Sequence, residues 1–153
     1  MHHQSAAGGR SLAALAVLLG LVAAACSAAP TPSPTVVNVE LKEWAVIPST
    51  TSAPAGRVTF TATNTGPEDK HELVIIKTDL PAFELPTDAN GKVDEEGAGI
   101  GFIGEIEEFD VGATESLTFD LTSGSYVLFC NIYDEAEKEA HYKEGMLVTF
   151  TVP

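Results

Sequence analysis

An all-β fold, a Greek-key β-sandwich, is what this sequence predicts. Three observations carry the prediction: short runs that alternate with period two, turn residues that bracket each run, and almost no helical periodicity. Val36-Val-Asn-Val-Glu-Leu opens the series, β-rich and partly alternating. Arg57-Val-Thr-Phe-Thr-Ala-Thr-Asn alternates cleanly and places Val58, Phe60 and Ala62 on one face, between Pro54-Ala-Gly and Asn64-Thr-Gly-Pro. Glu72-Leu-Val-Ile-Ile-Lys is a compact apolar run of strand length, suited to burial on both faces. Glu115-Ser-Leu-Thr-Phe-Asp-Leu alternates again and predicts Leu117, Phe119 and Leu121 inward. A Ser123-Gly-Ser turn leads into Tyr126-Val-Leu-Phe-Cys, and Met146-Leu-Val-Thr-Phe-Thr-Val closes the chain. Six or more such strands joined by turns argue for a sandwich.

The stretch from Thr78 to Asp110 is the least regular, with two prolines, five glycines and an acidic cluster from Asp94 onward, so most of it is expected to be a long surface loop. Its Asp88-Ala-Asn-Gly-Lys resembles the start of a calcium loop. The glycine is misplaced and no closing Glu follows at position twelve, which excludes that reading. Trp44 and Phe60 are expected in the core.

Ahead of the strands the chain has a different texture. Arg10 precedes Leu12 to Ala25, an apolar run without a charge and shorter than the roughly 20 residues of a membrane-spanning helix. Residues 1–25 therefore have signal-peptide proportions. The run ends in Ala-Ala-Ala-Cys, which resembles a bacterial lipobox with Cys26 as the lipidated residue, although Ala23 stands where a Leu is commoner. Residues 26–35, rich in Pro, Ser and Thr, cannot bury apolar surface and read as an extended tether. Residues 36–153 form the folded domain, a length sufficient for one sandwich core.

Eight Lys and Arg stand against 22 Asp and Glu, a formal net charge of −14. Such a chain does not bind nucleic acid, because phosphate affinity needs clustered basic residues. It suits a partner with a basic docking face, approached by electrostatic steering.

Beyond residue 25 the soft metal ligands are few: His71, His141, Met146, Cys130 and the anchoring Cys26. His71 opens a strand, Cys130 ends the penultimate one, and His141 and Met146 lie in the loop before the last. Any one of these residues alone reads better as ordinary: a strand-edge His, a small buried Cys, a core Met. Together they are the donor types of a type 1 copper site, in which a thiolate and two imidazoles form a plane and a weak axial thioether tunes the potential. An unpaired Cys in an exported protein is also a liability unless it is metallated or reacts. A Cys/His nucleophilic pair lacks any thiol-protease signature around Cys130. A Cys26–Cys130 disulfide conflicts with Cys26 at the cleavage point, and the thioether favours copper over zinc.

The order His71, Cys130, His141, Met146, with spacings Cys-x10-His and His-x4-Met, resembles the cupredoxin family of plastocyanin-like blue copper proteins across residues 36–153. The flanking Tyr126-Val-Leu-Phe-Cys and Gly145-Met-Leu-Val-Thr-Phe-Thr-Val match the pattern too. The resemblance implies one copper ion per chain, held by Cys130, His71 and His141 in the strong plane with Met146 axial. It implies a monomeric one-electron carrier that is not an enzyme, exchanging electrons with a redox protein, through the edge of His141 if that edge is exposed. The N-terminal lipid would hold it at the outer face of the cytoplasmic membrane or in the periplasm. Small cupredoxins place only a few residues between Cys and His, whereas this chain has ten. The insert Asp134-Glu-Ala-Glu-Lys-Glu-Ala is expected to be a short helical turn or loop, with Asp134 as its N-cap. Two alternatives stay open: a copper carrier delivering metal to an oxidase, and a cupredoxin-like scaffold without a redox role.

Overall fold

The computed structural model describes residues 1, 2 and 33–153. The signal segment and Cys26 lie outside the described residues. From residue 33 the chain forms ten strands and one helical turn: β1 (Thr35–Lys42), β2 (Ala45–Pro48), β3 (Gly56–Asn64), β4 (His71–Lys77), β5 (Gly101–Phe109), β6 (Thr114–Leu121), β7 (Gly124–Phe129), β8 (Tyr133–Asp134), β9 (Glu139–Ala140), α1 (His141–Glu144) and β10 (Leu147–Val152). Two four-stranded sheets, ordered β2-β1-β3-β6 and β10-β7-β4-β5, make the sandwich, and β8-β9 is a separate small hairpin. β1 runs parallel to β3, and the other strand pairs are antiparallel.

Alternation decides which side chains enter the core. Val37, Val39 and Leu41 of β1 and Val58, Phe60 and Ala62 of β3 are buried, and they meet Leu73, Ile75, Tyr126, Leu128 and Phe150 from the other sheet. Phe60 is wedged between Phe119 and Phe150, its ring centroid 5.5 Å from that of Phe150 in an edge-on arrangement favoured by the ring quadrupoles. In β6, Phe119 and Leu121 point inward as expected, but Leu117 is 45% exposed. It shares the inward parity of its neighbours. Instead of packing closed, Leu117 lines an open depression with Ile106 and Phe109 of β5.

β4 is buried on both faces, because strands flank it and Val74 and Ile76 face a second apolar cluster outside the sandwich. Residues 78–100 are the irregular surface segment that the sequence led us to expect, but two of its side chains anchor it to that cluster: Leu85 and Val93 are 4% exposed and pack on Val74, Ile76, Val127, Phe129 and Tyr142. The last third of the expected loop is instead β5, an edge strand whose outward glutamates and two glycines disguise it in the sequence. Asp88 folds back on its own turn, accepting N–H bonds from Asn90 and Lys92.

Between Cys130 and His141 the expected short helical turn or loop takes the loop form, closed by a small hairpin. Tyr133 and Asp134 pair with Ala140 and Glu139. Asp134 caps the turn between them rather than a helix, accepting N–H bonds from Ala136 and Glu137 at 2.6 and 2.9 Å. A hairpin returns the chain close to where it left, so ten intervening residues still bring His141 back to Cys130.

Candidate metal centre

His71, the first residue of β4, sits where an extra residue in β5 shifts the register between the His71–Phe109 and Leu73–Ile106 pairs. Such a bulge re-aims the side chains around it. The approach to His71 is fixed by two residues that the sequence did not mark. Asn64, fully buried, donates to the carbonyls of Asp69 and Phe109 and accepts from Gly66 N–H. Glu43, between β1 and β2, accepts N–H bonds from Asp69 at 2.7 Å and Glu68 at 3.2 Å.

Cys130 follows β7 directly, and its N–H bonds to the carbonyl of Met146, so the two residues are neighbours by backbone pairing. His141 begins α1, with its N–H on the carbonyl of Ile132. The helical turn ends at Gly145, whose φ of 115° is left-handed and natural for glycine alone among common residues. That reversal lets Met146 N–H reach back to the carbonyl of His141 and sends the chain into β10 beside β7. Met146 is fully buried and belongs to the same core cluster as Cys130.

These elements bring three donor atoms together. His71 Nδ1 and His141 Nδ1 are 3.3 Å apart, and Cys130 Sγ lies 3.4 Å from His141 Nδ1 and 4.0 Å from His71 Nδ1. The product of these sides divided by four times the enclosed area gives a circle of radius about 2.1 Å. Its centre falls inside the triangle. One in-plane point thus lies about 2.1 Å from each donor, against zinc–imidazole bonds of about 2.0–2.1 Å and zinc–thiolate bonds of about 2.3 Å. The donor set of two imidazoles, a thiolate and an adjacent thioether fits copper better than zinc. Among the described residues, no other His, Cys, Asp or Glu cluster converges in this way.

The surroundings favour neutral imidazoles and a protonated thiol in the absence of metal. Burial, reinforced by the other histidine, pushes the His71 pKa down, and burial does the same to His141. Burial pushes the Cys130 thiol up to about 12, despite an N–H bond from Glu72 at 3.5 Å. Burial alone would raise the Glu43 carboxyl. The N–H bonds from Asp69 and Glu68 and the nearby His71 outweigh it and hold Glu43 below its ordinary value.

Further contacts bind the site to the covering segment. Asn131, next to Cys130, exchanges two hydrogen bonds with the backbone of Val93. The Tyr142 hydroxyl, next to His141, donates to the Ala82 carbonyl and accepts from Leu85 N–H. Trp44, expected as core, is half-buried and packs edge-on against His141 with ring centroids 5.1 Å apart. The edge of His141 is not open: the residue is 1% exposed. It lies at the floor of a depression of about 410 Å³ lined by Glu68, Asp69, Asp134 and Glu135. Another depression, about 520 Å³, lies between Thr87 and Asn131 and is lined by none of the donors.

No protein-family model and no curated protein matches the chain. Solved structures do. Auracyanin from Roseiflexus castenholzii is 23% identical, with a TM-score of 0.56 over 80% of this chain and 99% of its own. Auracyanin A, a blue copper protein from Chloroflexus aurantiacus, is 21% identical, with a TM-score of 0.53 over 79% of this chain and 100% of its own. Auracyanin B is 20% identical, with a TM-score of 0.52. The fold is therefore that of the cupredoxins, as the ligand order and strand pattern implied.

Proposed function

We propose that His71, Cys130, His141 and Met146 hold one copper ion and that the protein is a one-electron carrier. The observation that carries this reading is the triangle of His71 Nδ1, His141 Nδ1 and Cys130 Sγ, assembled around one point at metal-bond distance. Copper at that point supplies a Cu(II)/Cu(I) couple. The chain's own residues do the rest. Two imidazoles with lowered pKa values offer lone pairs at neutral pH. Cys130 gives up its proton as it binds. The sandwich, with Asn64, Glu43, Asn131 and Tyr142 bracing the donors, keeps them in place in both oxidation states. A site that moves little reorganises little, which favours electron transfer over turnover of a substrate. Metal delivery needs donors that a recipient can reach, and His71 and Cys130 are 0% exposed.

The redox partner presents a basic face. The acidic depression above His141 and the net charge of −14 support docking there. Docking of a cationic side chain in that depression would bring the partner to the His141 edge. The protein acts as a monomer in the cell envelope. Residues 1–25 direct export, Cys26 carries the lipid, and residues 26–35 tether the domain to the outer face of the membrane, a reading supported by their sequence.

The test is Cu(II) addition to the purified protein, followed by visible absorption and electron paramagnetic resonance, with Cys130→Ser as control. An intense thiolate-to-copper charge-transfer band that cycles with reduction and is absent from Cys130→Ser is the expected result. Copper signals without that band, or no copper binding, would sink the reading.

A further inference from the structure

His71 turns Nδ1 toward Cys130 and His141, which leaves Nε2 as its remote nitrogen. That atom is buried and has no hydrogen-bond partner. Across from it, 3.7 Å away, stands the Glu43 carboxylate, whose Oε1 is held by the N–H groups of Glu68 and Asp69. The second oxygen, Oε2, is also buried and unpartnered. Two orphaned polar atoms on facing side chains in one buried place are uncommon, because each forfeits its hydration without compensation. Metal ligation at Nδ1 resolves the conflict. It fixes the remaining imidazole proton on Nε2, making that atom a donor aimed at a carboxylate that is already anchored.

We propose that Glu43 is a positioning residue for the metal centre: it accepts the Nε2–H of metal-bound His71 and thereby favours Cu(II) over Cu(I). The inference rests on the copper reading above and goes beyond it, since it assigns an anion behind one ligand. An anionic acceptor makes the imidazole a stronger donor, and the more highly charged ion gains more from that than the less charged one. The same carboxylate anchors the 65–70 loop, so a purely structural role is the competing explanation. The two differ in their effect on the couple: loop anchoring serves both oxidation states alike.

Glu43→Gln separates them, because the amide oxygen still accepts from Glu68 and Asp69 while the charge is gone. The reduction potential of the copper-loaded variant is expected to rise by about 59 mV, equivalent to a tenfold shift in the ratio of Cu(I) to Cu(II) affinity. An unchanged potential in a variant that keeps the charge-transfer band would overturn the proposal and leave the copper reading intact. Absence of the band from the wild-type protein would instead overturn the copper reading. A measurement without any variant guards against a Glu43→Gln protein that fails to fold. In the zinc-loaded wild-type protein, nuclear magnetic resonance should show the His71 Nε2–H as a downfield, slowly exchanging signal. A fast-exchanging or missing Nε2–H signal refutes the contact.

Discussion

Glu72 occupies an unusual position for a carboxylate, between two of the proposed ligands. Its N–H donates to Cys130 Sγ, and its Oε1 accepts from Asn131 N–H at 3.0 Å. Burial pushes its pKa up from 4.5 to about 7, with Glu105 and Glu95 adding to the rise and the Asn131 N–H opposing it. A raised carboxyl pKa means that, between pH 4.5 and 7, the native state holds a proton that the unfolded chain has released. Stability from this group is therefore greatest below about pH 4.5 and is lost as pH rises through about 7. A separation of about 2.5 units at 1.36 kcal/mol each amounts to roughly 3 kcal/mol. Glu72→Gln keeps an acceptor for Asn131 and removes the charge. The metal-free variant should match the wild type at pH 4 and exceed it at pH 8 by up to about 3 kcal/mol, or roughly 10 °C in Tm for a domain of this size. Urea unfolding of both proteins at the two pH values measures the difference. Taking the variant against the wild type at each pH cancels Glu139, whose pKa burial also raises, while the repulsion between Glu72 and Glu105 stays in the difference and is part of what it measures. A difference of equal size at pH 4 and pH 8 would refute the argument, because it would show that Glu72 ionises alike in the folded and unfolded chains.

Two further predictions concern the metal. The Cys130 thiol, pushed up to about 12, must release one proton on ligation, so apparent metal affinity should rise about tenfold per pH unit from pH 7 to 9. Competition titrations with a chelator of known affinity check it, and a flat profile would show that the thiol stays out of the site. Met146→Leu is close to volume-conserving and should cost less than about 1.5 kcal/mol in stability. Loss of the thioether donor should raise the reduction potential, since Cu(II) loses more from it than Cu(I). An unaltered potential by voltammetry would place Met146 in the core alone.

Much of the sandwich was legible because half-buried strands write their faces into alternate residues. Val58, Phe60 and Ala62 do so, and Leu73 to Ile76 announce a strand covered on both sides. β5 escaped because an edge strand with one outward row can carry glutamates and glycines, leaving Gly101–Phe109 without the alternation that marks its neighbours. Leu117 shows the reverse failure: correct parity says which way a residue points, not whether anything lies above it. The Asp134–Ala140 insert was composed for a helix, yet pairing of Tyr133 with Ala140 decided its form.

For the site, scarcity was the informative property. With two histidines, one methionine and one cysteine beyond residue 26, residue type and order already named the chemistry that these groups could perform. The sequence by itself thus determined the strand pattern, the acidity and the candidate donor set, because each is a property of local composition and spacing. Only the tertiary structure decided that Asn64 and Glu43 brace the approach to His71, that residues 78–100 pack as a cover held by Asn131 and Tyr142, and that His141 is buried beneath an acidic rim. Those relations join residues far apart in the chain, and hydrogen bonds at 3 Å across such separations leave no periodic trace in sequence.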